Sequence, residues 1–209
     1  MVEKRKSNKI CHPVGVESDA SSNYRGYIRL VLSRLREISQ YLLPGLCWVD
    51  GHLILRLEGA QAAVSEAANR WQRDYQAKFL TADQARQFWD DLKEQRLAFF
   101  GAVRQSSKAL WRLSLPSASA HQPSWGDTVI EWGGALRWVL CSNDDASIRE
   151  QVRAIGGHAS LFRSLDKRHP VFTPLAPAMM ALQRRIKREF DPLGIFNPGR
   201  LMPSLDVNA

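Results

Sequence analysis

The chain has 209 residues, 44% of them apolar and 24% charged, and a formal net charge of +8. This is the composition of a soluble globular protein of one domain, or one domain with a tail, long enough to bury a core. The basic side chains are dispersed apart from one cluster at 183–189, and no helix-turn-helix, RNP or zinc-finger pattern accompanies them, so nucleic acid is not an expected partner. Cys11, Cys47 and Cys141 are too few and too widely spaced for a disulfide framework or a zinc site, which fits a reducing compartment. No run approaches the length of a membrane span, and the basic start Met1–Lys9 lacks the apolar stretch of a signal peptide.

Residues 1–26 are polar and aperiodic and read as a disordered tail, leaving 27–209 as the folded domain. Apolar residues at helical spacing predict a helix over Tyr27–Leu43, ended by Pro44-Gly45. Asp50-Gly51 between two alternating apolar runs predicts a hairpin over Leu46–Gly59. An Ala-rich helix follows over 60–75, and Thr81 caps a second helix predicted to run from Ala82 to Phe100. Ala109–Pro116 alternates as a strand, 117–127 is a Ser/Pro/Gly loop, and 127–142 reads as a second hairpin around Gly133-Gly134. A short helix ends at Gly156-Gly157, His158–Ser164 is a last strand, and a final helix carries Met179, Leu182, Ile186 and Phe190 on one stripe. Helices interleaved with antiparallel strands predict an α+β fold, a mostly antiparallel sheet with helices packed on one face.

The chain lacks a G-x-G-x-x-G turn, a Walker A sequence, a G-x-S-x-G elbow and an H-E-x-x-H pair, and its five His residues have no metal-ligand spacing, so no metal site is expected. Arg112 and Arg137 lie on predicted strands, where an arginine can meet a substrate carboxylate bidentately. His158 opens a strand and can serve in proton transfer. Each has an equally simple reading as a structural or surface residue, and Trp132 and Trp138, evenly spaced, read as core. The ending "FDPLGIFNPGR" is a helix stop followed by a stiff turn: Pro192 forbids continuation, Pro198 fixes one dihedral and Gly199 frees the next. Such a turn presents Asn197 and Arg200 at a fixed angle, suited to the polar edge of a flat cofactor or to an anionic group, or else forms a terminal turn with a solvated arginine.

"FDPLGIFNPGRLMP" resembles the C-terminal signature of FAD-linked oxidases of the vanillyl-alcohol-oxidase type. Together with "LWRLSLP", "IEWGGALRW" and "GGHASLFR", in that order, it makes residues 40–203 similar to the glycolate oxidase (glycolate dehydrogenase) E subunit. The resemblance implies a cap-like C-terminal domain whose closing loop returns to FAD, with Asn197, Gly199 and Arg200 beside the cofactor. It also implies a complex with a paralogous flavoprotein subunit and an iron–sulfur subunit. That complex oxidises glycolate to glyoxylate, passes electrons to a membrane acceptor, and is cytoplasmic, reaching the inner membrane only through partners. The family's glycine- and serine-rich pyrophosphate loop has no counterpart here. The chain is therefore expected to be the C-terminal part, with FAD shared with or supplied by a missing flavin domain. The alternative is a non-catalytic assembly module, or a truncated remnant, docking onto the catalytic flavoprotein.

Overall fold

A computed structural model describes residues 12–17, 45–106, 108–142, 145–166 and 169–200; the helix expected at Tyr27–Leu43 lies outside them. The elements in chain order are β1 (His12–Glu17), β2 (Gly45–Val49), β3 (His52–Leu57), α1 (Gln61–Tyr75), β4 (Lys78–Phe79), α2 (Ala82–Lys93), α3 (Ala98–Gln105), β5 (Ala109–Ser114), β6 (Asp127–Glu131), β7 (Leu136–Cys141), α4 (Asp145–Ala154), β8 (His158–Arg163) and α5 (Pro177–Phe190). The strands form one sheet in the order β4-β1-β3-β2-β6-β7-β5-β8, antiparallel at every pairing. The fold is α+β, as the element order predicts. The segment read as a tail nevertheless contributes β1, which pairs with β3 from His12↔Leu57 to Glu17↔His52.

Both hairpins form where the turn chemistry puts them. Asp50 and Gly51 take φ of 48° and 79°, the left-handed pair that a two-residue hairpin turn requires. The second hairpin turns through Trp132, Gly133 and Gly134, at φ of 52°, 61° and 95°. Thr81 and Gln84 make a reciprocal capping box at the start of α2. The single helix expected over 82–100 is two: the chain turns at Gln95 (φ 55°), and Arg96 folds back so that its Nε donates to Asp91 Oδ1 at 2.8 Å. No glycine or proline marks this break: left-handed Gln95 closes the helix through main-chain bonds, Arg96 N donating to Asp91 O at 2.7 Å and Gln95 N to Leu92 O at 3.2 Å.

The helices cover both faces of the sheet, not one. Neighbouring strand residues fall into different cores because both are apolar. Trp48, Leu53, Leu55 and Leu57 pack on Val64, Ala68 and Trp71 of α1. Trp111, Leu113, Val139 and Leu161 pack on the same side against Ile148 and Val152 of α4. Cys47, Val49, Leu110, Trp138 and Leu140 point the other way, onto Leu92 of α2 and Phe99, Phe100 and Val103 of α3. Strands buried on both faces lose the alternation that a one-sided sheet would show.

The chain beyond β8 is held by a short backbone pairing, with Leu161 N donating to Val171 O at 2.8 Å and Thr173 N to Ala159 O at 3.2 Å, and by a buried cation. Arg149 of α4 donates to the carbonyls of Ala159, Pro170 and Val171 and to Thr173 Oγ1, and its guanidinium lies 5.0 Å from the Trp111 ring centroid. Thr173 completes the clasp by donating to Ala159 O at 2.8 Å and accepting from Ala159 N at 3.2 Å. α5, which follows, buries none of its residues among those described.

Candidate functional site

Directly opposed residues of an antiparallel pair share a face. Arg112 opposes Trp138 and Ser160, and His158 opposes Ser114, so these five stand on the α2–α3 side of the sheet. Trp138 is buried under that helical layer, while Arg112, His158 and Ser160 are only half-buried and Ser114 is exposed. Among the described residues, the β5–β8 end of this face is thus only partly covered.

Arg112 lies with its guanidinium carbon 5.5 Å from the centroid of the Trp132 ring. Its nitrogens make no hydrogen bond or ion pair among the described residues. A half-buried arginine held by stacking, with its planar fork unengaged, is a ready receptor for a carboxylate. His158 stands diagonally across the strands. Burial lowers its pKa first, and the positive charges of Arg149 and Arg112 lower it further, so the imidazole stays neutral over a wider pH range than a free histidine. Glu131 borders the same group: burial raises its carboxyl, opposed by the bond that Trp138 Nε1 donates to Oε1 at 2.7 Å and by Arg112.

Arg137 is not part of this face. It opposes Leu113, on the other side of the sheet, and is 1% exposed. It donates to the carbonyls of Ala120 (2.7 Å), Ser119 and Gly134 (3.4 Å), pinning the 117–122 loop to the second hairpin. Its fork is consumed by structure, which removes it from the substrate-facing set. Of the tryptophans expected in the core, Trp138 is there. Trp132 is 65% exposed, because the left-handed turn throws it outward.

The ending forms a second, self-contained feature. Asp191 caps α5 and is buried by the turn it organises, not by the core. Its carboxylate accepts from Lys187 Nζ and from the amides of Ile195 and Phe196, both at 3.0 Å, and Lys187 also donates to Phe196 O at 2.7 Å. This knot fixes the turn that presents Asn197 (φ 47°), Gly199 (φ 67°) and Arg200, all exposed. No hydrogen bond or ion pair among the described residues joins them to Arg112 or His158. The lysine bond holds the Asp191 carboxyl below the usual range against the opposing effect of burial, with the Phe196 and Ile195 amides assisting. A depressed carboxyl stabilises the fold above its unfolded-state pKa and loses that contribution as pH falls through the folded-state value. Amide exchange at Ile195 and Phe196, taken relative to the intrinsic rate at each pH, is therefore expected to quicken as the solution is acidified below the ordinary carboxylate range. In Asp191→Ala it should be fast already at neutral pH. Protection that survives the substitution would mean the turn is held by something else.

The loop suits the polar edge of a flat cofactor: Gly199 presents bare backbone, Asn197 a donor and an acceptor, Arg200 a cation. The described residues contain no glycine-rich phosphate cradle, so they fit a share of an FAD site and not the whole of it. Among the described residues no helix is long and apolar enough to cross a membrane, and no group of three His, Cys, Asp or Glu residues is placed to hold a metal ion.

Trp132 and Glu131 are the site residues that sequence reasoning missed. The two glycines of "EWGG" marked the turn, but not that the residue before them would share its left-handed backbone.

Residues 165–201 match the family described as FAD linked oxidases, C-terminal domain. The match covers the β8 exit, the Arg149-held segment, α5 and the closing loop. The chain is also 36% identical over 191 residues to Glycolate oxidase subunit GlcE of Escherichia coli (strain K12), an alignment taking in 89% of this chain and 50% of that protein. It thus spans about half the length of the curated relative it matches. With this sheet, this closing loop and that identity along most of its length, the chain is a sequence similar to the glycolate oxidase E subunit, carrying at residues 165–201 a match to the C-terminal domain of FAD linked oxidases.

Proposed function

We propose that the chain is a component of a flavin-dependent 2-hydroxy acid dehydrogenase complex, acting on glycolate, with FAD shared with another unit. The partners on this reading are a paralogous flavoprotein subunit and an iron–sulfur subunit. The electrons leave to a membrane acceptor, and the complex is cytoplasmic and meets the inner membrane through its partners. The observation that carries the reading is Arg112: half-buried, stacked on Trp132, its donors unengaged, beside a histidine kept neutral. Arg112 would take the substrate carboxylate in a bidentate grip. His158 would accept the hydroxyl proton at its unprotonated ring nitrogen as the carbonyl forms. FAD, when bound, supplies the two-electron acceptor. Asn197, Gly199 and Arg200 would meet its edge.

The test is to purify the chain with the two partner subunits and follow glycolate-driven dye reduction and the flavin absorption bands. Arg112→Met is expected to raise KM for glycolate about 100-fold, the usual loss when one side of a shielded charge pair is truncated, with the flavin bands intact. Arg200→Ala is expected to lower flavin occupancy while the domain stays folded. If neither variant changes its readout, the chain handles neither substrate nor cofactor.

A second reading, an assembly module docking onto the catalytic flavoprotein, is favoured by one observation. The stripe Met179, Leu182, Ile186 and Phe190 of α5 is exposed, and Leu193, Ile195 and Phe196 continue it. Apolar surface of that extent on a folded domain marks a contact. Stable co-purification without any effect of Arg112 or Arg200 would establish this role in place of the first.

A further inference from the structure

Beside the Trp132 turn lies a cavity of about 490 Å³, between α2, the start of β2 and the end of β6. Its walls include Trp89 and Leu92 of α2 and Trp132 of the turn, with Gly45 and Glu131 from the strands. Gly45 has a packing reason to be glycine: a Cβ there would lie 3.0 Å from Trp89 Cη2, displacing the indole. The wall is thus an aromatic one that the strand accommodates. Glu131 uses Oε1 for Trp138, and its other oxygen takes no hydrogen bond from the described residues. The two cations at the rim are already matched, Arg56 by Glu58 and Lys93 by Glu94. Asp90, the remaining charged group of the lining, has no ion pair or hydrogen bond from its side chain among the described residues. Among the described residues, the groups of the lining left without a hydrogen bond include the second Glu131 oxygen, the Asp90 carboxylate and one buried donor, Trp89 Nε1, beside the aromatic faces. Small-molecule sites of this size combine apolar walls with a few unsatisfied polar groups. Trp132 is held in a left-handed conformation that bulky side chains rarely adopt, a strain that clusters at binding sites.

We propose that this cavity binds a planar aromatic molecule with an amidine-type edge, two N–H donors on one carbon, stacked against Trp89 and Trp132 with the edge on the Glu131 carboxylate. An aminopyrimidine or an aryl amidinium has this chemistry. A planar pair of donors matches a carboxylate fork, and a cationic one gains from the indole faces as well. Glu131 is half-buried and its carboxyl is raised by that burial, so a donor edge relieves a desolvation that the free protein bears. This site adjoins the Arg112 group, sharing Trp132 and Glu131 with it, and is read by ligand binding and not by turnover.

The test is calorimetric titration of the full chain with benzamidine, and with benzoate, which has the same ring and the opposite edge. Benzamidine is expected to bind saturably and benzoate not. Glu131→Gln, which keeps the shape and the Trp138 bond, should weaken benzamidine about tenfold or more. Trp132→Gly, which suits the left-handed turn and removes one wall, should weaken it as well. The proposal is overturned by absence of saturable benzamidine binding, by benzoate binding as well as benzamidine, or by either variant leaving the affinity unchanged.

Discussion

Gly134→Ala is expected to destabilise the domain by about 4 kcal/mol, the sum of a strained backbone and an overlap that cannot relax. Gly134 sits at φ 95°, and a Cβ added there would stand 2.5 Å from the carbonyl oxygen of Ser117. That oxygen is main chain, in the loop that Arg137 pins through Ser119 and Ala120, so it has no room to retreat. The hairpin is fixed from its other side too, where Leu115 N donates to Ala135 O at 2.8 Å. Gly156 supplies the control. It has a similar φ of 77° but open space where the methyl would go, so Gly156→Ala should cost only about 1 kcal/mol of backbone strain. Urea denaturation of the two variants beside the parent checks the pair. Equal losses would show that the Ser117 contact is soft and that the second hairpin tolerates repositioning.

The second large effect is expected at Arg149. Arg149→Met keeps much of the side-chain bulk over Trp111 but removes every donor of the clasp, leaving the carbonyls of Pro170 and Val171 without their cation. Hydrogen bonds from a charged donor are worth about 1.5–3 kcal/mol each, and part of the loss is recovered by water at this edge of the sheet. A net cost of about 3 kcal/mol corresponds to a Tm lower by roughly 6–12 °C for a chain of this size. The variant should also show early proteolytic cleavage around residues 164–176, while β2–β7 stays protected. A Tm within a degree of the parent would mean that Thr173 and the backbone bridge to β8 hold the segment without the cation.

What the sequence made legible follows the range of the interactions. Asp50-Gly51, Gly133-Gly134 and Thr81 act over two to four residues, and each produced the turn or cap that its chemistry predicts. The break at Gln95 did not announce itself, because the left-handed stop is made by a glutamine, closed by main-chain bonds to Asp91 and Leu92 and by the Arg96 side chain, and not by a residue that forbids helix. The second helical layer was hidden for a different reason: Leu110 and Trp111 are both apolar, so the strand carries no record of which side faces water. Arg112 and Arg137 look alike in sequence, each an arginine on a strand. An odd separation placed them on opposite sides of the sheet, and only the positions of Ser119 and Ala120 show that one of them is already bound. The family resemblance reached the closing loop directly, since "FDPLGIFNPGR" is local and rigid. Glu131 and Trp132 emerged only once β5, β6 and β7 were aligned.

Because Asp191 ties Ile195 and Phe196 back to the end of α5, the loop that carries Asn197 and Arg200 is folded before anything meets it. Association through this end then needs no coupled ordering of the chain, and the encounter can proceed at the roughly 10⁵–10⁷ M⁻¹s⁻¹ typical of rigid surfaces. Differences in affinity between variants of the exposed α5 stripe would appear in how long the complex lasts. Variants that loosen the Asp191 knot would instead slow how quickly it forms.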